Sequence, residues 1–103
     1  MRIEFPRGSS SAVVHGRLRG RQQMEYVVRV KGGGTLALLL AAAPSGGLEL
    51  RVHDAAGAEV NPRNSSPERW SAELVQAGDY IVSVVRVSNN PESSSYKLTV
   101  TVR

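Results

Sequence analysis

The chain has 103 residues and a mass of 11.1 kDa, room for one core and not for two. Thirteen Lys and Arg against nine Asp and Glu give a formal charge of +4 and a pI near 10.1, and 41% hydrophobic with 21% charged residues is a globular balance that excludes a disordered chain. No apolar run approaches the roughly 18 residues of a membrane span, and the lack of cysteine excludes disulfides, thiolate nucleophiles and cysteine metal sites.

Met1 leads straight into Arg2-Ile3-Glu4-Phe5, so no secretory leader is expected in this sequence; a mature exported domain would read the same. Arg17, Arg19 and Arg21 recur at period two and form a basic stripe. Tyr26, Val28 and Val30 then alternate with Val27, Arg29 and Lys31, which predicts a half-buried strand. Thr35 to Ala41 is apolar on both faces, which points to a central strand or to cover on its outer side. Leu and Ala favour a helix over 36–43, but a glycine triplet before and Pro44 after leave too short a run, and strand wins.

Leu48, Leu50 and Val52 alternate with Glu49, Arg51 and His53; Trp70, Ala72 and Leu74 alternate with Ser71, Glu73 and Val75. Tyr80 to Val87 is again apolar on both faces, and Tyr96, Leu98, Val100 and Val102 close the chain in clean alternation. Between these runs stand Gly32-Gly33-Gly34, read as a hairpin connection, then Pro44 to Gly47, Gly57, Asn61-Pro62, Asn64 to Pro67, Ala77-Gly78-Asp79 and Asn89-Asn90-Pro91. Short strands punctuated in this way predict an all-β, antiparallel β-sandwich of jelly-roll type with seven or eight strands over residues 1–103.

Residue chemistry argues against catalysis. His15 and His53 lie on predicted strands, and no Gly-x-Ser-x-Gly elbow accompanies them. His53 and Asp54 are neighbours whose side chains point to opposite faces of a strand, so no metal centre is expected. Asp54, Glu59 and Asp79 sit in or near turns without forming the oxygen-rich loop that calcium needs. No cofactor is expected. Nor is nucleic acid, since four of the five aromatic residues fall at core positions and leave no stacking platform beside the basic stripe.

The order of short blocks is more informative. Ile3-Glu4-Phe5 leads to Gly8-Ser9-Ser10-Ser11-Ala12, then Gly16-Arg17-Leu18-Arg19-Gly20, Tyr26 to Val30, Trp70-Ser71, Ala77-Gly78-Asp79-Tyr80 and Tyr96 to Val100. This succession resembles the periplasmic inhibitors of g-type (goose-type) lysozyme over about residues 2 to 102. The Gly-Asp-Tyr strand also resembles the related pre-peptidase C-terminal domains.

The resemblance implies a non-enzymatic β-sandwich, periplasmic or exported, whose loops plug the cleft of a g-type lysozyme as its protein partner. It places the inhibitory loop after the Gly-Asp-Tyr strand, at Arg86 to Glu92. Counted forward from Tyr80, the family's arginine falls on Ser88 with Asn89 beside it; counted back from Tyr96, Arg86 takes that place. Asn90, Pro91 and Glu92 stand where the family has further arginines. The expected contact residues are therefore Arg86, Ser88, Asn89 and Asn90, with Arg21 from the turn at 20–25. The alternative is a pre-peptidase-type accessory domain that binds polysaccharide or assists secretion. Monomer and dimer are both open.

Overall fold

Alternation at period two becomes strand wherever the sequence shows it. The computed structural model describes residues 2–5, 10–19, 22–30, 34–43, 47–60, 62, 64–65, 69–74, 76–87 and 93–102. Its elements are β1 (Ser11–Leu18), β2 (Gln23–Val30), β3 (Gly34–Ala43), β4 (Leu48–Asp54), β5 (Asn64–Ser65), β6 (Arg69–Leu74), β7 (Gly78–Arg86) and β8 (Ser94–Val102). No helix occurs among the described residues, and the run at 36–43 belongs to β3.

The strands form two antiparallel sheets, one in the order β1-β8-β3-β6-β5 and the other β2-β7-β4. The first strand pairs with the last, the second with the seventh and the third with the sixth. Such nesting is a long hairpin rolled over on itself, the jelly-roll order. The segments apolar on both faces take the central places: β3 lies between β8 and β6, and β7 between β2 and β4.

One expectation is corrected. Gly32-Gly33-Gly34 is not a hairpin connection, because β2 and β3 belong to different sheets and the chain crosses between them there. Alternation identifies strands but carries no record of which strand each will pair with.

The two inner faces meet in a core that includes Tyr26, Val28, Leu36, Leu38, Val52, Trp70, Val82, Val84, Leu98 and Val100. Two phenol hydroxyls of this core are paired with each other. Tyr26 on β2 and Tyr96 on β8 share a buried hydroxyl–hydroxyl hydrogen bond of 2.6 Å, which joins one sheet to the other. A buried bond of this kind contributes about 1 kcal/mol net, and removing one partner costs more because the other hydroxyl is stranded.

Gly16 on β1 is the cross-strand partner of Tyr96. A Cβ at Gly16 would overlap the Tyr96 ring and hydroxyl, with Cε1 at 2.7 Å. Glycine is needed here for space, since the ring lies across its backbone.

The Gly-Asp-Tyr block also has a structural account. The Tyr80 hydroxyl donates to the Gln76 carbonyl at 2.8 Å, four residues upstream, in the manner of a tyrosine corner. Gly78 has φ of 145°, a conformation that side-chain-bearing residues rarely adopt. Asp79 receives the Arg2 guanidinium at 3.4 and 3.5 Å, an exposed pair worth little in energy but tying the first residues to β7.

Burial, reinforced by the bond to Tyr26, holds the Tyr96 phenol well above its ordinary value of 10.0. The fold thus favours the neutral phenol, and the unfolded chain ionises first as pH rises. The stability is fully present below about pH 10 and is lost progressively above it. The urea midpoint is expected to hold steady from neutrality to about pH 9 and then fall. Tyr96→Phe should flatten that alkaline decline; an unchanged decline in this variant would remove Tyr96 as its cause.

Candidate functional site

The register brings three chain connections to one end of the sandwich. Leu18 pairs with Ser94, Ala43 with Ser95, Gln23 with Val85 and Leu48 with Arg86. The connections at 19–22, 44–47 and 87–93 therefore all leave from the same rim.

Backbone hydrogen bonds tie these connections together. The Arg86 N–H donates to the Gln22 carbonyl at 3.3 Å, and the Val87 N–H donates to the Gly47 carbonyl at 2.8 Å. Gln22 closes its own turn twice: its side-chain oxygen accepts from Arg19 N–H at 2.8 Å, and its N–H donates to the Arg19 carbonyl at 3.1 Å. Gly47 has φ of 78°, in the left-handed region that glycine enters without strain, and presents its carbonyl to Val87 from there.

Arg86 sits at the centre of this rim. It continues the inward phase of Tyr80, Val82 and Val84, and only 4% of its surface is exposed. Its Nε donates to the Ser94 hydroxyl at 3.1 Å. Ser94 is itself 2% exposed and is the first inward position of β8. The bond runs between the two sheets and joins the residue that ends β7 to the one that begins β8, fastening both roots of the 87–93 connection. No buried side-chain nitrogen or oxygen among the described residues lacks a partner, which is the condition for keeping polar groups in such a core.

Around this anchor the rim is exposed and chemically mixed. Val87 is 56% exposed and Met24 36%, while Arg17, Arg19, Gln22 and Gln23 also face solvent. Apolar side chains flanked by arginines are the composition that protein–protein contacts favour.

Of the contact residues expected from sequence, Arg86 is described and is buried, not exposed as a residue near a strand end is expected to be. Arg21, Ser88, Asn89 and Asn90 lie outside the described residues. Ser94, Gly47 and Gln22 are not among the contact residues expected from the sequence. A signal existed for the first of these: Ser94 is in phase with Tyr96 and Leu98, just as Arg86 is in phase with Val82 and Val84. Gly47 acts through its backbone, and Gln22 through backbone and side-chain hydrogen bonds within its own turn; neither leaves a trace in periodicity.

The residues weighed for other chemistry have local roles. His15 is exposed on β1 and His53 half-buried on β4, so the sandwich assigns them to different sheets. Asp54 Oδ1 accepts the N–H groups of Ala56 and Ala58 at 3.0 and 2.9 Å, closing the turn after β4. Glu59 bridges back to His53 through the backbone, and Asp79 holds Arg2. Among the described residues no group of three His, Asp or Glu could hold a metal ion. A shallow depression of about 240 Å³, lined by Asp54, Val60, Glu73, Leu74, Gln76 and Tyr80, opens at the opposite end of the sandwich.

No family model matches the chain, and no curated protein matches it by sequence. Solved structures do match. The crystal structure of Aeromonas hydrophila PliG, a periplasmic inhibitor of g-type lysozyme, superposes with a TM-score of 0.85 at 22% identity, covering 99% of this chain and 94% of that one. PliG of Salmonella Typhimurium gives 0.76 at 14% identity over 100% and 96% of the two chains. The fold is that of the g-type lysozyme inhibitors. It is shared more distantly by the pre-peptidase C-terminal domain of a Bacillus anthracis collagenase, at a TM-score of 0.68 and 15% identity.

Proposed function

We propose that this chain inhibits a g-type lysozyme in the periplasm by seating its 19–22 and 87–93 connections in the enzyme's cleft. The observation that carries this reading is the superposition on the Aeromonas hydrophila inhibitor along 99% of the chain, with 94% of that protein covered in turn. In this reading the chain catalyses nothing. Its contact set is Arg21, Ser88, Asn89 and Asn90, with Arg86 holding the roots of the loop from inside through Ser94.

The physical logic is occlusion assisted by charge. A guanidinium or an amide delivered into a water-poor groove beside the enzyme's catalytic carboxylate forms a charge-assisted hydrogen bond and removes the acid that the hydrolase needs. Arg17 and Arg19, exposed on the same rim, favour approach to an acidic groove.

A suspension of peptidoglycan cleared by a g-type lysozyme tests the proposal. Micromolar protein is expected to keep the suspension turbid, and unhindered clearing would overturn the reading. An accessory domain that binds polysaccharide is supported by the likeness to the collagenase domain. It is opposed by the burial of Tyr26, Trp70, Tyr80 and Tyr96, which leaves these rings unavailable to stack on sugar. Retention on insoluble peptidoglycan with no lysozyme present would favour it instead.

A further inference from the structure

β7 is the middle strand of its sheet, and at the rim its end is held on both flanks by connections. On the β2 side the Arg86 N–H donates to the Gln22 carbonyl at 3.3 Å; on the β4 side the Val87 N–H donates to the Gly47 carbonyl at 2.8 Å. Val87, 56% exposed, therefore opens the 87–93 connection from a fixed backbone position.

Of these two ties, the one through Gln22 reaches further. Its side-chain Oε1 accepts from the Arg19 N–H at 2.8 Å, and its own N–H donates to the Arg19 carbonyl at 3.1 Å. One residue thus engages both backbone groups of Arg19 while its carbonyl holds Arg86. Arg19 follows β1, in the five-stranded sheet, and Arg86 ends β7, in the three-stranded one. Gln22 joins the two sheets at the rim from the solvent side, as the bond from Arg86 to Ser94 joins them from within. Arg19 lies one residue past the β1–β8 ladder, and the Gln22 side chain supplies the acceptor that a ladder would otherwise provide.

We propose that Gln22 is a positioning residue for the lysozyme contact, holding the backbone of Arg19 against the end of β7 so that Arg19 and Val87 meet the enzyme from one fixed frame. The proposal rests on the inhibitor reading. Arg19 is exposed beside an exposed valine, and an arginine flanking an apolar side chain is the pairing that protein–protein contacts favour. A contact residue that must be ordered on binding costs affinity, and ordering it beforehand removes that cost. Gln22 touches Arg19 and not the enzyme in this arrangement; it acts through the residue it holds.

Two substitutions separate the acceptor from the rest of the side chain. Gln22→Met keeps the length and removes the acceptor, whereas Gln22→Glu keeps an acceptor oxygen. In the clearing assay with g-type lysozyme, Gln22→Met should raise the inhibition constant about three- to tenfold, the worth of one net hydrogen bond. In an Arg19→Ala background the same substitution should change it by less than about twofold, because the side chain it positions is gone. An equal loss in both backgrounds would give Gln22 a general structural role and overturn the proposal.

Amide hydrogen exchange of the free protein reads the tie without any lysozyme. The Arg19 N–H should exchange at least about threefold faster in Gln22→Met and stay within about twofold of the parent in Gln22→Glu. An Arg19 amide indifferent to Gln22→Met would overturn the proposal. If the parent inhibits and Gln22→Met inhibits equally well, this inference alone falls; if the parent does not inhibit, the inhibitor reading falls and takes this one with it.

Discussion

Gly16→Val is expected to lower stability by about 2–5 kcal/mol, a large share of the roughly 5–15 kcal/mol that holds a domain together. The new Cβ would fall on the Tyr96 ring, which has nowhere to retreat: Tyr96 is 4% exposed and its hydroxyl is bound to Tyr26 across the core. If the ring turns away, both phenols lose their hydrogen bond inside an apolar interior; if it stays, β1 must move off β8. Urea denaturation measures the loss, and a change below about 0.5 kcal/mol would show that the ring is not held as described. A double-mutant cycle separates the two contributions. Tyr26→Phe and Tyr96→Phe should each destabilise alone, and the double variant should cost less than their sum, because no stranded hydroxyl remains.

Arg86→Ala carries the second large effect, about 2–4 kcal/mol. Truncation strands the buried Ser94 hydroxyl, empties the space the long side chain fills and unfastens β7 from β8 at the root of the 87–93 connection. Inhibition of g-type lysozyme should fall with it. Ser88→Ala and Asn89→Ala behave differently under the proposed function: inhibition weakens while the urea midpoint stays within about 0.5 kcal/mol of the parent. If Arg86→Ala abolished inhibition with stability untouched, the guanidinium would be the plug itself and not the anchor of the loop.

The blocks that carry the family resemblance hold the fold together. Gly16 clears space for Tyr96, Tyr26 bonds to it, Gly78 takes a backbone angle forbidding to side chains, Tyr80 ties back to Gln76, and Asp79 receives Arg2. Such positions stay readable in a sequence because each demands one residue type.

Arg86 illustrates both the reach of the pattern and its limit. Its phase with Val82 and Val84 marks it as inward, yet an arginine near a strand end reads more naturally as solvated. Ser94 arrives from the other sheet and supplies an acceptor for the Arg86 Nε where burial requires one. The glycine triplet shows the same division. Composition marks 32–34 as a break, but whether a break makes a hairpin or a crossing depends on where β2 and β3 find partners, and those partners, β7, β6 and β8, come much later in the chain.

Length and period by themselves determined an all-β chain and its long strands, whereas Asn64–Ser65, which composition marks as a break, becomes β5 by pairing with β6. The period is local: side chains alternate along a strand whatever the strand pairs with. The tertiary structure alone decided the nested strand order, the gathering of three connections at one rim and the burial of Arg86. These rest on contacts between residues far apart in sequence, such as Tyr26 with Tyr96 and Arg2 with Asp79, and no local pattern records them. The net charge of +4 therefore describes the chain as a whole, while Arg86, bonded to Ser94 at the roots of the 87–93 connection, lies inside.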